Sequence, residues 1–216
     1  MGGGGSNEYS QVGYRARLDT VAEADDSAWL APLNTSWTTT LSDLDRNFRI
    51  RTIIHAAFGG TSDQNATFAL SYSHNGGSFT RVTPTSSVIK SVTSDVSGYD
   101  DDDDATQLIS TIDSGCYIHP NGCIVTNNNV TGIFNWYYCG GFDSEVEMEW
   151  AVRLVGSDLK VGDTIELQSR LVGGGGGIIF PGGYTYSIII YIQSPTVNIK
   201  GKEAAVDGKE LLIAQS

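Results

Sequence analysis

The sequence predicts an all-β protein, an antiparallel β-sandwich of jelly-roll type flanked by extended N- and C-terminal arms. Three observations predict it. Polar and apolar residues alternate with period two along much of the chain, turns rich in Gly, Asn and Pro interrupt that alternation at sandwich-like spacing, and helix signals are nearly absent.

Residues 1–13 are Gly- and Ser-rich with little to bury, and they read as a flexible arm. The sandwich domain is expected over 14–199, with a short helix candidate near Thr20–Ala28. Asn47–Phe58 reads as a strand with Phe48, Ile50 and Thr52 on one side and Arg49 and Arg51 on the other. Gly59 to Asp63 turns the chain into the strand Ala66–Ser73. His74-Asn75-Gly76-Gly77 then predicts a hairpin, because Asn-Gly supplies the positive φ that primed turns require. Ser78–Thr83 returns, and Val88–Val92 forms a further strand.

Alternation is cleanest at Ser144–Val155. Val146, Met148, Trp150, Val152 and Leu154 fall on a core face, while Glu145, Glu147, Glu149, Ala151 and Arg153 fall on a face expected to meet water. Carboxylates at two-residue spacing stand roughly 7 Å apart, and the stripe reads as solvated rather than catalytic. After the turn at Gly156-Ser157-Asp158, Thr164–Val172 points Ile165, Leu167 and Leu171 inward and Glu166, Gln168 and Arg170 outward. The run Gly173–Gly177 reads as a loop, Tyr184–Gln193 as the last strong strand and Thr196–Ile199 as a short one. Residues 200–216 read as a C-terminal arm, with a second helix candidate over Lys202–Ile213.

At 216 residues the chain suits one sandwich and is too short for two domains of usual size, and 40% hydrophobic residues suffice for a core. Thirteen Lys and Arg against 25 Asp and Glu give a net charge of -12. Such a surface repels nucleic acid and anionic lipid, so neither is an expected partner. The longest apolar run, within Ser187–Ile192, is far shorter than a membrane span and reads as a strand. Met1 to Ser6 lacks the features of a secretory signal, and an odd count of three cysteines favours synthesis in a reducing cytoplasm. The sequons at Asn34, Asn65 and Asn129 are then incidental to a Ser/Thr/Asn-rich β-protein.

Few groups invite chemistry. Asp100–Asp104 is a run of five carboxylates, but it lacks the Gly and distal Glu of an EF-hand and reads as a solvated loop. Cys116, His119, Cys123 and Cys139 lack a second closely spaced ligand pair, which disfavours zinc. Pro120-Asn121-Gly122 reads as a turn that places Cys116 and Cys123 opposite one another, as a disulfide or a pair of thiols. His55, His74 and His119 belong to no catalytic motif, and the glycine run lacks the Lys of a phosphate-binding loop. Of the aromatic residues that could stack on a sugar, Trp150 is assigned to a core face, and Phe134, Trp136 and Tyr138 share another. Trp29, Trp37 and Tyr137 complete the set. The expectation is a non-enzyme with no catalytic, cofactor-binding or metal residues.

One resemblance adds to this. The order Phe48-Arg49-Ile50-Arg51, then Phe68-Ala69-Leu70-Ser71-Tyr72-Ser73-His74-Asn75-Gly76-Gly77-Ser78-Phe79-Thr80-Arg81-Val82, resembles a β-sandwich module of tailed-bacteriophage structural proteins. Glu145 to Trp150, Val161 to Leu167 and Tyr191 to Val197 continue the pattern, which covers about residues 45–198, while 116–139 departs from it. The resemblance implies a virion component assembled in the host cytoplasm, and it carries over no catalytic residue. The expected role is a capsid decoration or cement protein that stabilises the phage head. It would bind the major capsid protein or other virion proteins, as a homo-oligomer. The alternative is a tail-fibre or receptor- or carbohydrate-binding module using exposed aromatics and the 98–104 loop.

Overall fold

The computed structural model describes residues 8–20, 28–57, 64–96, 104–106, 122–126, 131–136, 144–174, 187–194, 196–199, 202–207 and 210–213. In chain order the strands among them are β1 (Glu8–Leu18), β2 (Trp37–Thr40), β3 (Asn47–Ala57), β4 (Gln64–His74), β5 (Thr80–Arg81), β6 (Ile89–Ser91), β7 (Asp104–Thr106) and β8 (Gly122–Thr126). There follow β9 (Thr131–Trp136), β10 (Ser144–Leu154), β11 (Thr164–Gly174), β12 (Ile188–Gln193), β13 (Thr196–Ile199), β14 (Lys202–Asp207) and β15 (Glu210–Ile213).

They form two six-stranded sheets packed as a sandwich, and a separate three-stranded meander. The first sheet has the order β1-β3-β10-β8-β7, with β6 also on β10; the second has β2-β12-β11-β4-β5, with β9 also on β4. Most pairs are antiparallel, as expected, but β10·β8 and β12·β2 are parallel. A free edge of each sheet is tiled by two short strands end to end. β8 covers β10 at Glu147–Trp150 and β6 covers it at Val152–Leu154. On β4, β9 covers Gln64–Ala69 and β5 covers Ser71–Tyr72.

Period two decides what lies between the sheets. Ala16, Phe48, Ile50, Met148, Trp150 and Val152 face inward from the first sheet, and Phe68, Leu70, Ile165, Leu167, Ile188 and Ile190 meet them from the second. Full burial of each large apolar side chain is worth about 1.5–3 kcal/mol. Tyr9 packs edge-on against Phe68 with ring centroids 5.6 Å apart. Gln11, Thr52 and Ser169 bring polar groups into this layer that bond one another: the Thr52 and Ser169 hydroxyls lie 2.8 Å apart, and the Ser169 amide donates to Gln11 Oε1 at 2.8 Å. The hairpin forms as its sequence requires. Asn75 and Gly76 have φ of 51° and 71°, and the Gly77 amide donates to the His74 carbonyl at 3.0 Å.

Three expectations are corrected. β1 begins at Glu8, so 8–13 are sheet rather than arm, because Tyr9 and Gln11 supply side chains that the core buries. The second helix candidate is instead β14 and β15: Ala205↔Leu212 and its neighbours form an antiparallel ladder, in a segment also read as an arm. The outer face of β10, expected to be wet, is dry at its centre, together with the adjoining face of β3.

Candidate functional site

That dry face concentrates the charged side chains. The registers set Arg17 beside Arg49 and Ala151 in one row, and Arg15 beside Arg51 and Glu149 in the next. Guanidinium groups facing one another across strands are destabilising unless carboxylates intervene. Here they do. Arg49 Nη1 lies 2.7 Å from Glu149 Oε1, Arg51 Nε lies 2.6 Å from Glu149 Oε2, and Arg51 Nη1 lies 2.8 Å from Glu147 Oε2. Arg49 Nε is 3.1 Å from Asp19 Oδ1, at the end of β1. Arg17, Asp19, Arg49, Arg51, Glu147 and Glu149 all have 0% exposure. Three guanidinium groups thus face three carboxylates away from water. Glu145 and Arg153, at the margins, stay partly exposed.

The surroundings hold this cluster in place. Trp29 stacks on Arg15 at 4.3 Å and on Arg17 at 5.1 Å from its ring centroid, and Arg15 Nε donates to the Ala31 carbonyl. Asp19 accepts from the Ser94 hydroxyl at 2.6 Å and the Asp95 amide at 2.8 Å. Asn47 links Asp95, to which it donates, and Arg153, from which it accepts.

The two best-placed carboxyls titrate in opposite directions. Burial would raise Glu149, but the charges of Arg51 and Arg49, with Arg17 behind them, outweigh it and hold the carboxyl below its ordinary range. For Asp19 burial prevails over Ser94, the Asp95 amide and Arg49, and its pKa is raised. Glu149 therefore stays ionised, with each oxygen in contact with an arginine. It is a charge clamp, fully buried with the two arginines that it bridges.

The other predicted groups lie apart. His55 sits on β3 opposite Ser10 and Glu145, whereas His74 is in the hairpin with Nε2 3.2 Å from Asp163 Oδ2. Burial would raise Asp163, but bonds from Asn75 and the Lys160 amide, together with His74, hold its pKa low. Trp150 is core, as expected, and Trp37 packs edge-on against Phe48 with ring centroids 4.9 Å apart. Asn34, of one sequon, spends its side-chain oxygen on the Tyr14 amide at 2.8 Å. Cys123 lies in β8 opposite Ala105, and Asp104 opens β7 opposite Ile124. Residues 100–103, Cys116, His119 and Cys139 lie outside the described residues, and with them the cysteine pairing and the acidic loop. Among the described residues no group of three His, Cys, Asp or Glu could hold a metal ion, and no helix is long and apolar enough to cross a membrane.

Sequence reasoning missed the clamp. Its signal was nonetheless present: Arg49 and Arg51 repeat at the spacing of Glu147 and Glu149, with opposite sign. Neither a family model, nor a curated protein, nor a solved structure matches the chain.

Proposed function

We propose that the chain is a non-enzymatic structural protein, a decoration or cement subunit of a tailed-phage head. The observation that carries this reading is the clamp. Arg49, Arg51, Glu147 and Glu149, the charged side chains at the centre of β3 and β10, are spent on one another in a dry layer. A sheet locked in this way resists shear between its strands, which suits a subunit that bridges neighbours on a pressurised shell. The strand-and-turn resemblance and a charge of -12 that keeps free copies soluble support the same role.

Phage heads assembled without the protein provide the test. Purified full-length chain should saturate a fixed number of sites on them and raise the temperature at which they release DNA. Heads that neither take up the chain nor gain heat resistance would refute the proposal. A glycan array, with and without chelator, separates it from the receptor-binding alternative, since a cement protein gives no glycan-dependent signal.

A further inference from the structure

Strand β2 ends the second sheet. It pairs with β12 from Ile190↔Trp37 to Gln193↔Thr40, and its other side pairs with no strand among the described residues. An open edge offers unpaired backbone donors and acceptors, and proteins guard such edges with charge, proline, bulges or overlying chain. β1, which ends the first sheet, is guarded in these ways. It carries Arg15 and Arg17 and a bulge between Gln11 and Gly13, and residues 28–34 lie along it through bonds from the Leu30 amide to the Ala16 carbonyl and from the Asn34 amide to the Tyr14 carbonyl. β2 reads Trp-Thr-Thr-Thr, with no charge, proline or bulge.

Apolar surface gathers around β2 instead. Leu33 (44% exposed) precedes it, Leu41 (41%) follows it, and Tyr191 (40%) lies opposite Thr38 on β12. Behind the edge runs a cleft of about 200 Å³ lined by the apolar Leu18, Leu30, Trp37, Phe48 and Leu154 and by the polar Thr38, Thr39, Asp43, Arg46 and Asn47. An apolar cavity of about 150 Å³ accommodates a benzene ring, so this cleft has room for one aliphatic or aromatic side chain. Edge and cleft are in register with each other. Trp37 and Thr39 share the inner face with Ile190 and Ile192, while Thr38 and Thr40 share the outer face with Tyr191 and Gln193. A strand added beside β2 would place alternate side chains into the cleft and the others beside Tyr191.

We infer that the β2 edge takes up an extended segment of another, cationic protein as an added strand, with one apolar side chain anchored in the cleft. Charge favours such a partner over a second copy. Two chains of net charge -12 repel, whereas a segment flanked by lysine or arginine is drawn in. The inference goes beyond the particle reading, because it names a mode of binding that any such partner could use.

The test is an array of capped heptapeptides whose three central positions run through all residue types, with lysine at both ends, probed with the full-length chain. A second array has glutamate at the ends. Signal should concentrate on central leucine, phenylalanine or methionine in the lysine set. Solution binding of those peptides should weaken by about tenfold or more when alternate backbone amides are N-methylated, and likewise in Thr38→Lys, which places a charge on the edge. Thr38 is exposed, so this variant should keep the parent melting temperature. Absence of signal in the lysine set, or binding indifferent to N-methylation and to Thr38→Lys, overturns the inference. So does self-association of the parent chain that Thr38→Lys abolishes, which would assign the edge to a second copy. Because the peptides contain no capsid protein, the result stands whether or not heads take up the chain.

Discussion

The outer faces of the two sheets begin from the same pattern, charged residues at alternate positions of a long strand, and reach different environments. On β10, Glu149 lies opposite Arg51, and Glu147 reaches the same arginine at 2.8 Å, so charge meets opposite charge and water is excluded. On β11, Glu166 lies opposite Ser73 and Arg170 opposite Ala69. Glu166 and Arg170 keep part of their surface in water, and Arg170 rests its guanidinium over Phe79 at 4.8 Å. A charged strand can be dried only when the neighbouring strand brings compensating charge at the same spacing.

The comparison is most open to attack at Glu149. Glu149→Gln leaves Arg49 and Arg51 facing a neutral group in a dry layer and should cost about 3–5 kcal/mol in equilibrium urea unfolding. A loss no larger than that of an exposed ion pair would show that the face is not dry.

Acid provides the next largest effect. The pKa of Glu149 is depressed in the folded state, so its contribution is fully present above the ordinary value of 4.5 and is lost as pH falls through the lower folded value. Melting temperature should therefore fall on acidification below that point, and Glu149→Gln should flatten this limb relative to the parent. Asp19 runs the other way. Its raised pKa gives a contribution present below 3.8 that is lost as pH rises through the folded value, so ionised Asp19 is a burden near neutrality. Asp19→Asn should accordingly cost less than Glu149→Gln, about 1–2 kcal/mol for weakened bonds to Ser94 and the Asp95 amide, by the same urea assay.

The wetter face should respond least. Arg170→Ala is expected to cost about 0.5–1 kcal/mol through its lost contact with Phe79. Glu166→Gln should stay within about 0.5 kcal/mol of the parent. Calorimetric melting of both variants beside Glu149→Gln would rank the two faces directly.

Much of the sandwich was legible because alternation reports on a strand and its two faces. Ser144–Val155 and Asn47–Phe58 correspond to β10 and β3 within a residue, and Asn75-Gly76 to its primed turn. What alternation leaves out is what covers a face. Arg51 and Glu147 are 96 residues apart, and nothing local reveals that they meet. The misread helix at Lys202–Ile213 has the same origin. Lys, Glu, Ala and Leu favour helix locally, yet the pairing of Ala204 with both Val197 and Ile213 gives a sheet, so tertiary context overrides propensity. The open edge at β2 was illegible for another reason: Trp-Thr-Thr-Thr reads as a strand but does not say on how many sides it will be paired.

The long reach of the clamp bears on how the chain gets to its folded state. Arg49 and Glu149 are 100 residues apart, and Gln11 and Ser169 are 158 apart. Such non-local pairings make for slow folding, in the millisecond-to-second range typical of β-sandwiches. During that interval β3 and β10 wait unpaired, and an unpaired strand with apolar residues at alternate positions invites aggregation. Each strand meanwhile carries its own gatekeepers: two arginines on one, glutamates on the other, fully hydrated until the partner arrives. The charges that leave the native face dry are thus the ones that keep its strands in solution beforehand.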